Sequence, residues 1–251
     1  MMLMMTRYVN LLSVLAPLLL LSPFVTAQST AQSTAQSTWQ TTAQSAPQDY
    51  PAVKIAGLWW MQHNLNVTRY RNGDSIPDGT ADHAAWAKLT SGTWAYPDSN
   101  IMMRSTFGLL YNAYAVSDPR GLCPTGWRLP THDEWTALTN ALGGETKAGA
   151  KLKGKLGWFP GLEGRDELDF QGLPAGFRGS DGTFGGVGAY AYWWSSTGSG
   201  INGSWGRFVD GTQPGIFMMD GFKKSAFSVR CVCQSTGTNR PGIGRIGSNS
   251  D

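Results

Sequence analysis

Charge is scarce in this chain. Only 15% of its 251 residues are Asp, Glu, Lys or Arg, and the formal net charge is +3. The densest basic cluster runs from Lys147 to Lys155. It is too sparse to track a phosphate backbone, so no nucleic-acid partner is expected, and it reads as a solvated helix end or loop. Cysteine and histidine are scarce too, with three of each. Cys123, Cys231 and Cys233 are too few for a disulfide-dense scaffold. They allow one bridge with one thiol left over, or a three-sulfur metal site, but no His stands near them in sequence. We therefore expect no metal and no cofactor. Long apolar runs are absent except for Val9 to Leu21. That stretch is shorter than the ~20 residues a spanning helix needs, and Pro17 and Ser22 break it.

What is present begins with an export signal. Arg7 is the one charge in the first 27 residues, the apolar run follows, and Val25-Thr26-Ala27 offers small residues where a signal peptidase reads. Residues 1–27 are expected to be a signal peptide, leaving 19 basic against 17 acidic side chains, a net of +2. No Cys follows the cleavage site, so no lipid anchor is expected there. Ala27-Gln28-Ser29-Thr30 then repeats at 31–34 and 35–38. This segment lacks the apolar content to offset its ordering entropy, so 28–50 reads as a disordered linker and the Gly/Ser/Asn-rich 234–251 as a disordered tail. Residues 51–233 remain as one domain. The expected product is secreted or held at the cell surface, with no membrane span after cleavage.

Within the domain, Val53 to Trp60 reads as a first strand and Leu109 to Val116 as a weaker one. Thr131 followed by Glu134 predicts a capping box, and Trp135, Leu138 and Leu142 share one helical face, so a helix is expected over 131–142. Gly172 to Gly188, with Phe170, Phe177 and Phe184 spaced through it, reads as an irregular loop region that packs its own rings. Tyr190 to Ser196, Trp205 to Val209, Gly215 to Met219 and Phe227 to Cys233 read as four strands of an antiparallel meander. The class is α+β. Asn66-Val67-Thr68 and Asn202-Gly203-Ser204 match the glycan-acceptor pattern in a host with that machinery.

No nucleophile elbow stands on a strand-to-helix turn. Asp166, Glu167 and Asp169 read as a hydrated acidic loop before they read as a carboxylate pair, and His132 in the first helical turn reads as exposed or capping. No catalytic residue is assigned.

Six segments occur in one order: Trp60-Met61 with Asn64-Leu65-Asn66, Tyr111-Asn112-Ala113-Tyr114-Ala115-Val116, CPTGWRLPT at 123–131 with Glu134-Trp135, LPAGFRGSDGTF at 173–184, YWWSST at 192–197 and FSVRCV at 227–232. Together they resemble the Fibrobacter succinogenes major paralogous domain over about 53–233. The resemblance implies a C-type lectin-like fold, distantly similar to formylglycine-generating enzymes and to lectin-like proteins diversified by retroelements. It implies secreted or surface modules with no established reaction, and it pairs Cys123 with Cys231, leaving Cys233 free. A calcium-dependent sugar site is not expected. Gln213-Pro214-Gly215 and Trp205-Gly206-Arg207 stand where such lectins carry acidic and amide oxygens.

A binding or adhesion module is therefore expected, with an extracellular glycan or protein as its ligand. Strand alternation puts Trp205, Arg207 and Val209 on one face and Gly206, Phe208 and Asp210 on the other. By resemblance to the diversified proteins the second set faces out. The expected ligand face is Gly206, Phe208, Asp210, Phe217 and Met219, with Trp205 buried behind it. Trp193 and Trp194 are adjacent, so one of them is expected at the surface. The alternatives are a catalytic relative of the formylglycine-generating enzymes, through Cys231 and Cys233, and a structural surface protein.

Overall fold

The computed structural model describes residues 50–234. The expected signal peptide and nearly all of the expected linker and tail lie outside the described residues. Ala56 and Gly57 both take positive φ, 50° and 84°. This is the two-residue turn whose twist matches paired strands. The strand expected over Val53 to Trp60 is therefore a hairpin of β1 (Ala52–Ile55) and β2 (Leu58–Met61).

Short elements follow: α1 (His83–Trp86), β3 (Trp94–Ala95), α2 (Arg104–Phe107), β4 (Leu110–Asn112) and α3 (Ala113–Val116). The strand expected to continue to Val116 stops at Asn112, whose side chain accepts from the Ala115 amide and caps α3. Helix α4 (His132–Ala141) starts as expected. Thr131 Oγ1 accepts from the Glu134 amide at 3.2 Å, and the Glu134 carboxylate accepts from the Thr131 amide at 2.8 Å. Arg128 clamps the same carboxylate with bonds of 2.7 and 2.5 Å, which holds it below the usual carboxylate range.

Helix α5 (Ala148–Leu152) lies in the lysine cluster. Lys153 corrects the solvated reading of that cluster. It is buried, donates to Gly211 O at 2.7 Å, and sits 5.5 Å from the Trp158 ring. The glycine-rich region is likewise not irregular: β5 (Ala175–Arg178) pairs with β6 (Phe184–Val187). Its phenylalanines pack against other elements. Phe170 enters the core, Phe177 meets Tyr192, and Phe184 meets His83 and Arg178.

The meander forms as β7 (Tyr190–Gly198), β8 (Gly203–Asp210) and β9 (Phe217–Phe222). The expected fourth strand is split into β10 (Ala226–Phe227) and β11 (Val232–Cys233), which join different sheets. The larger sheet has eight strands in the order β3-β4-β10-β5-β7-β8-β9, with β6 added on β5; β1, β2 and β11 form the smaller one. The fold is α+β, mostly sheet with short helices.

At its middle, β7 is covered on both faces. Trp193 enters a core with Trp60, Trp135 and Phe170, while Trp194 enters another with Tyr111, Phe227 and the disulfide. Both indoles are fully buried. This overturns the expectation that one reaches the surface, which assumed a sheet with one wet face. Cys123 and Cys231 are bonded, with Cα atoms 6.1 Å apart, and Cys233 is free.

The split between β10 and β11 has a cause in Arg230, which is fully buried. Its guanidinium donates to Asn64 Oδ1 at 2.7 Å, Met61 O at 2.7 Å, Phe170 O at 2.6 Å and Gln171 O at 2.6 Å, and it lies 4.6 Å from the Phe170 ring. Asn64 Oδ1 also accepts from Trp193 Nε1 at 2.9 Å. The acceptors come from two separate parts of the chain, 61–64 and 170–171, so one cation ties the end of β2 to the 166–171 loop, and the shared Asn64 oxygen extends the tie to β7. Burial presses the guanidinium down to about 9, which leaves it charged at neutral pH.

Candidate recognition surface

Residues directly opposite on antiparallel strands share a face. The register pairs Tyr190 with Asp210, Tyr192 with Phe208, Phe208 with Phe217, and Gly206 with Met219. All five residues singled out from the sequence therefore lie on one face of β8 and β9. Tyr190 and Tyr192 extend that face onto β7. They were not singled out, although the alternation in Tyr190-Ala191-Tyr192 carried the signal.

The aromatic side chains form a cross-strand row. Phe217 to Phe208 is 5.1 Å between centroids with planes 29° apart, Phe208 to Tyr192 is 5.3 Å and 24°, and Tyr192 to Phe227 is 5.2 Å and 21°. Rings laid side by side in one plane would collide at such separations. They must stand on edge and stack with an offset. The faces of the inner rings are consumed by their neighbours, so this surface is a ridge of ring edges. Phe217 ends the row and is 38% exposed, while Met218, paired with Arg207, points to the opposite face. Burial raises the Tyr192 phenol to about 12, and Tyr190 and Asp210 push it the same way.

The other expected residues have distinct roles. Gly206 is buried, and a Cβ there would stand 2.8 Å from Trp193 O and 3.3 Å from Met219 Cγ. It makes room for the ridge and does not present itself. Asp210 Oδ1 accepts from the Thr212 amide and hydroxyl, each at 2.8 Å, and so closes the turn after β8. Met219 is half-buried over Gly206.

The opposite face of β8 packs inward, with one correction. Val209 is in the core and Arg207 is buried, donating to Thr136 Oγ1 at 2.9 Å. Trp205, expected in the core, is half-buried and rests on His132 at 5.4 Å. Arg207, like Arg230, is pulled down by burial. His132 thus packs between a helix start and a strand.

The acidic loop also has a structural task. Asp166, Asp169 and Gln171 take left-handed φ of 52°, 53° and 51°, and Asp166 Oδ1 accepts from the Gln171 amide at 2.9 Å. The carbonyls of Phe170 and Gln171 are the ones that meet Arg230. Among the described residues no group of three His, Cys, Asp or Glu side chains is placed to hold a metal ion, and no helix is long and apolar enough to cross a membrane.

A family model described as the Fibrobacter succinogenes major domain matches residues 53–233. The chain belongs to that family. No curated protein and no solved structure matches it. In this Fibrobacter succinogenes major domain the segments that carry the resemblance are largely interior. Asn64, Arg178, Trp193, Trp194 and Arg230 are all buried, and Cys123 and Cys231 form the disulfide. Arg178 repeats the Arg230 device, donating to Gly182 O and Gly79 O while lying 4.0 Å from the Trp86 ring. The segment from Gly198 to Ala226, which holds β8 and β9, lies between two of these motifs and outside both.

Proposed function

We propose that this domain is an exported recognition module that engages an extracellular glycan or protein through the β7–β9 face, on a C-type lectin-like fold. The observation that carries the reading is the aromatic ridge ending in exposed Phe217, with half-buried Met219 on the same face. An apolar ridge at the surface of an otherwise well-packed domain marks a contact site. Aromatics and Met are the residue types that such sites favour. Ring edges suit insertion among the apolar side chains of a protein, while the exposed part of the Phe217 ring suits a single sugar ring.

Export rests on the N-terminal pattern of residues 1–27, with the mature chain starting at Gln28 and either released or kept at the cell surface. A catalytic relative of the formylglycine-generating enzymes would need Cys231 and Cys233 as a free pair, and Cys231 is bonded to Cys123. The test is a glycan-array and envelope-proteome screen with the mature chain, repeated with a Phe217→Ser variant. The expected result is ligand capture by the wild type and its loss in a variant with an unchanged urea midpoint. Equal capture by both proteins would remove the ridge from recognition.

A further inference from the structure

A second place on the molecule has the chemistry of a ligand site. Tyr114, Ser180, Asn202, Phe222, Lys223 and Lys224 line a depression of about 350 Å³. That volume falls in the range of small-ligand pockets. It lies at the far end of β9 from Phe217, five residues or roughly 17 Å along the strand. It is therefore independent of the ridge.

Four chain segments build it: α3, the β5–β6 turn, the β7–β8 turn and the β9–β10 turn. Their backbones are fixed to one another. The Lys223 amide donates to Asn202 O and Lys223 O accepts from the Ala113 amide, both at 3.0 Å. Lys224 O accepts from Trp86 Nε1 at 2.8 Å, and the Lys224 ammonium donates to Ala87 O at 2.6 Å. The walls are thus held in place while most of the polar side chains are left open. Among the described residues, the Tyr114 and Ser180 hydroxyls, the Asn202 amide and the Lys223 ammonium have no hydrogen-bond or ion-pair partner. No carboxylate lines the depression, so its two ammonium groups are not neutralised there. Phe222 is 67% exposed, which leaves most of its ring uncovered.

Each feature selects part of a ligand. Two unneutralised ammonium groups call for an anion. Hydroxyl and amide groups that both donate and accept match neighbouring ligand hydroxyls. An uncovered aromatic ring takes an apolar C–H face. A simple phosphate or sulfate leaves the Phe222 ring and the acceptor oxygens of the hydroxyl and amide groups unused, and a neutral sugar leaves the ammonium charges unmatched. We infer that this depression binds a carboxylate-bearing sugar, with Lys223 and Lys224 on the carboxylate, Asn202, Ser180 and Tyr114 on the hydroxyls, and Phe222 under the ring.

The test is titration calorimetry of the mature chain with trigalacturonate and with a glucuronate-containing disaccharide, which separate the two common sources of such a unit. Maltotriose and sodium sulfate serve as controls. At least one acidic saccharide is expected to bind, with affinity falling as salt rises and at least tenfold lower in Lys223→Met. Asn202→Ala, on an exposed turn, should weaken binding while leaving the urea midpoint unchanged, which guards against a folding defect in the lysine variant. Failure of both acidic saccharides would overturn the inference. So would maltotriose binding equally well, sulfate competing equally well, or affinity that neither variant changes.

Discussion

Removal of the Cys123–Cys231 bond should cost this domain a large part of its stability. The two cysteines stand 108 residues apart in sequence. In the chain-entropy treatment, freeing a loop of that length in the unfolded state corresponds to about 4.8 kcal/mol. A typical domain has about 5–15 kcal/mol in total. The perturbation to make is Cys123→Ala/Cys231→Ala together, because a single change would leave Cys233 able to pair with the survivor. Both sulfurs are buried in the core that holds Trp194 and Tyr111, so the double change also removes a little packing. Reducing the wild-type protein breaks the bond and keeps the atoms, which separates the two contributions. With a urea slope of about 2 kcal/mol per M, the midpoint should fall by about 2 M in both experiments. A fall below about 0.5 M at an unchanged slope would refute the reasoning. It would mean that the unfolded chain is already confined or that the native bond is strained.

Arg230→Met should leave Met61 O, Phe170 O and Gln171 O without their donor, at about 1–3 kcal/mol each, partly offset by no longer burying a charge. The expected net loss is about 3 kcal/mol or more, and a urea midpoint at or above wild type would show that the hydrogen bonds do not outweigh the desolvation. Acid should weaken the Asp118–Arg120 contact, which closes at 2.8 Å. The hydrogen bond from Arg120 lowers the Asp118 carboxyl from 3.8 to about 2, so its stabilisation is present above the ordinary value and is lost as pH falls through that interval. Asp118→Asn should flatten the stability profile between about pH 4 and pH 2, and an unchanged slope there would discount the contact.

The helix at 131–142 was legible because a capping box is local: four residues contain the whole interaction. The hairpin of β1 and β2 was not, because half of its turn is Ala56, and alanine at positive φ is no turn signal. Strands β5 and β6 were hidden by glycines that their close pairing demands; a Cβ on Gly176 would meet Gly185 O at 2.3 Å. Lys153 read as solvated because sequence gives no sign that the Gly211 carbonyl, 58 residues away, is waiting for it. The candidate ridge was legible on β8 and β9 through alternation. Its continuation to Phe227 was not, because a meander would put that segment beside β9, whereas the chain crosses back and lays Ser228 against Trp193 of β7.

The paired tryptophans of β7 bear on how that strand finds its place. In a sheet with one wet face, a shift of one residue turns apolar side chains to water and is rejected by solvent. Here such a shift would exchange two interiors, and oil-versus-water sorting would scarcely notice. What distinguishes the alignments is that each indole N–H has one address: Trp193 donates to Asn64 Oδ1 at 2.9 Å and Trp194 to Tyr111 O at 2.7 Å. Two polar atoms thus act as the index marks of the central strand, and a variant with both tryptophans replaced by phenylalanine would keep its grease while losing its alignment key.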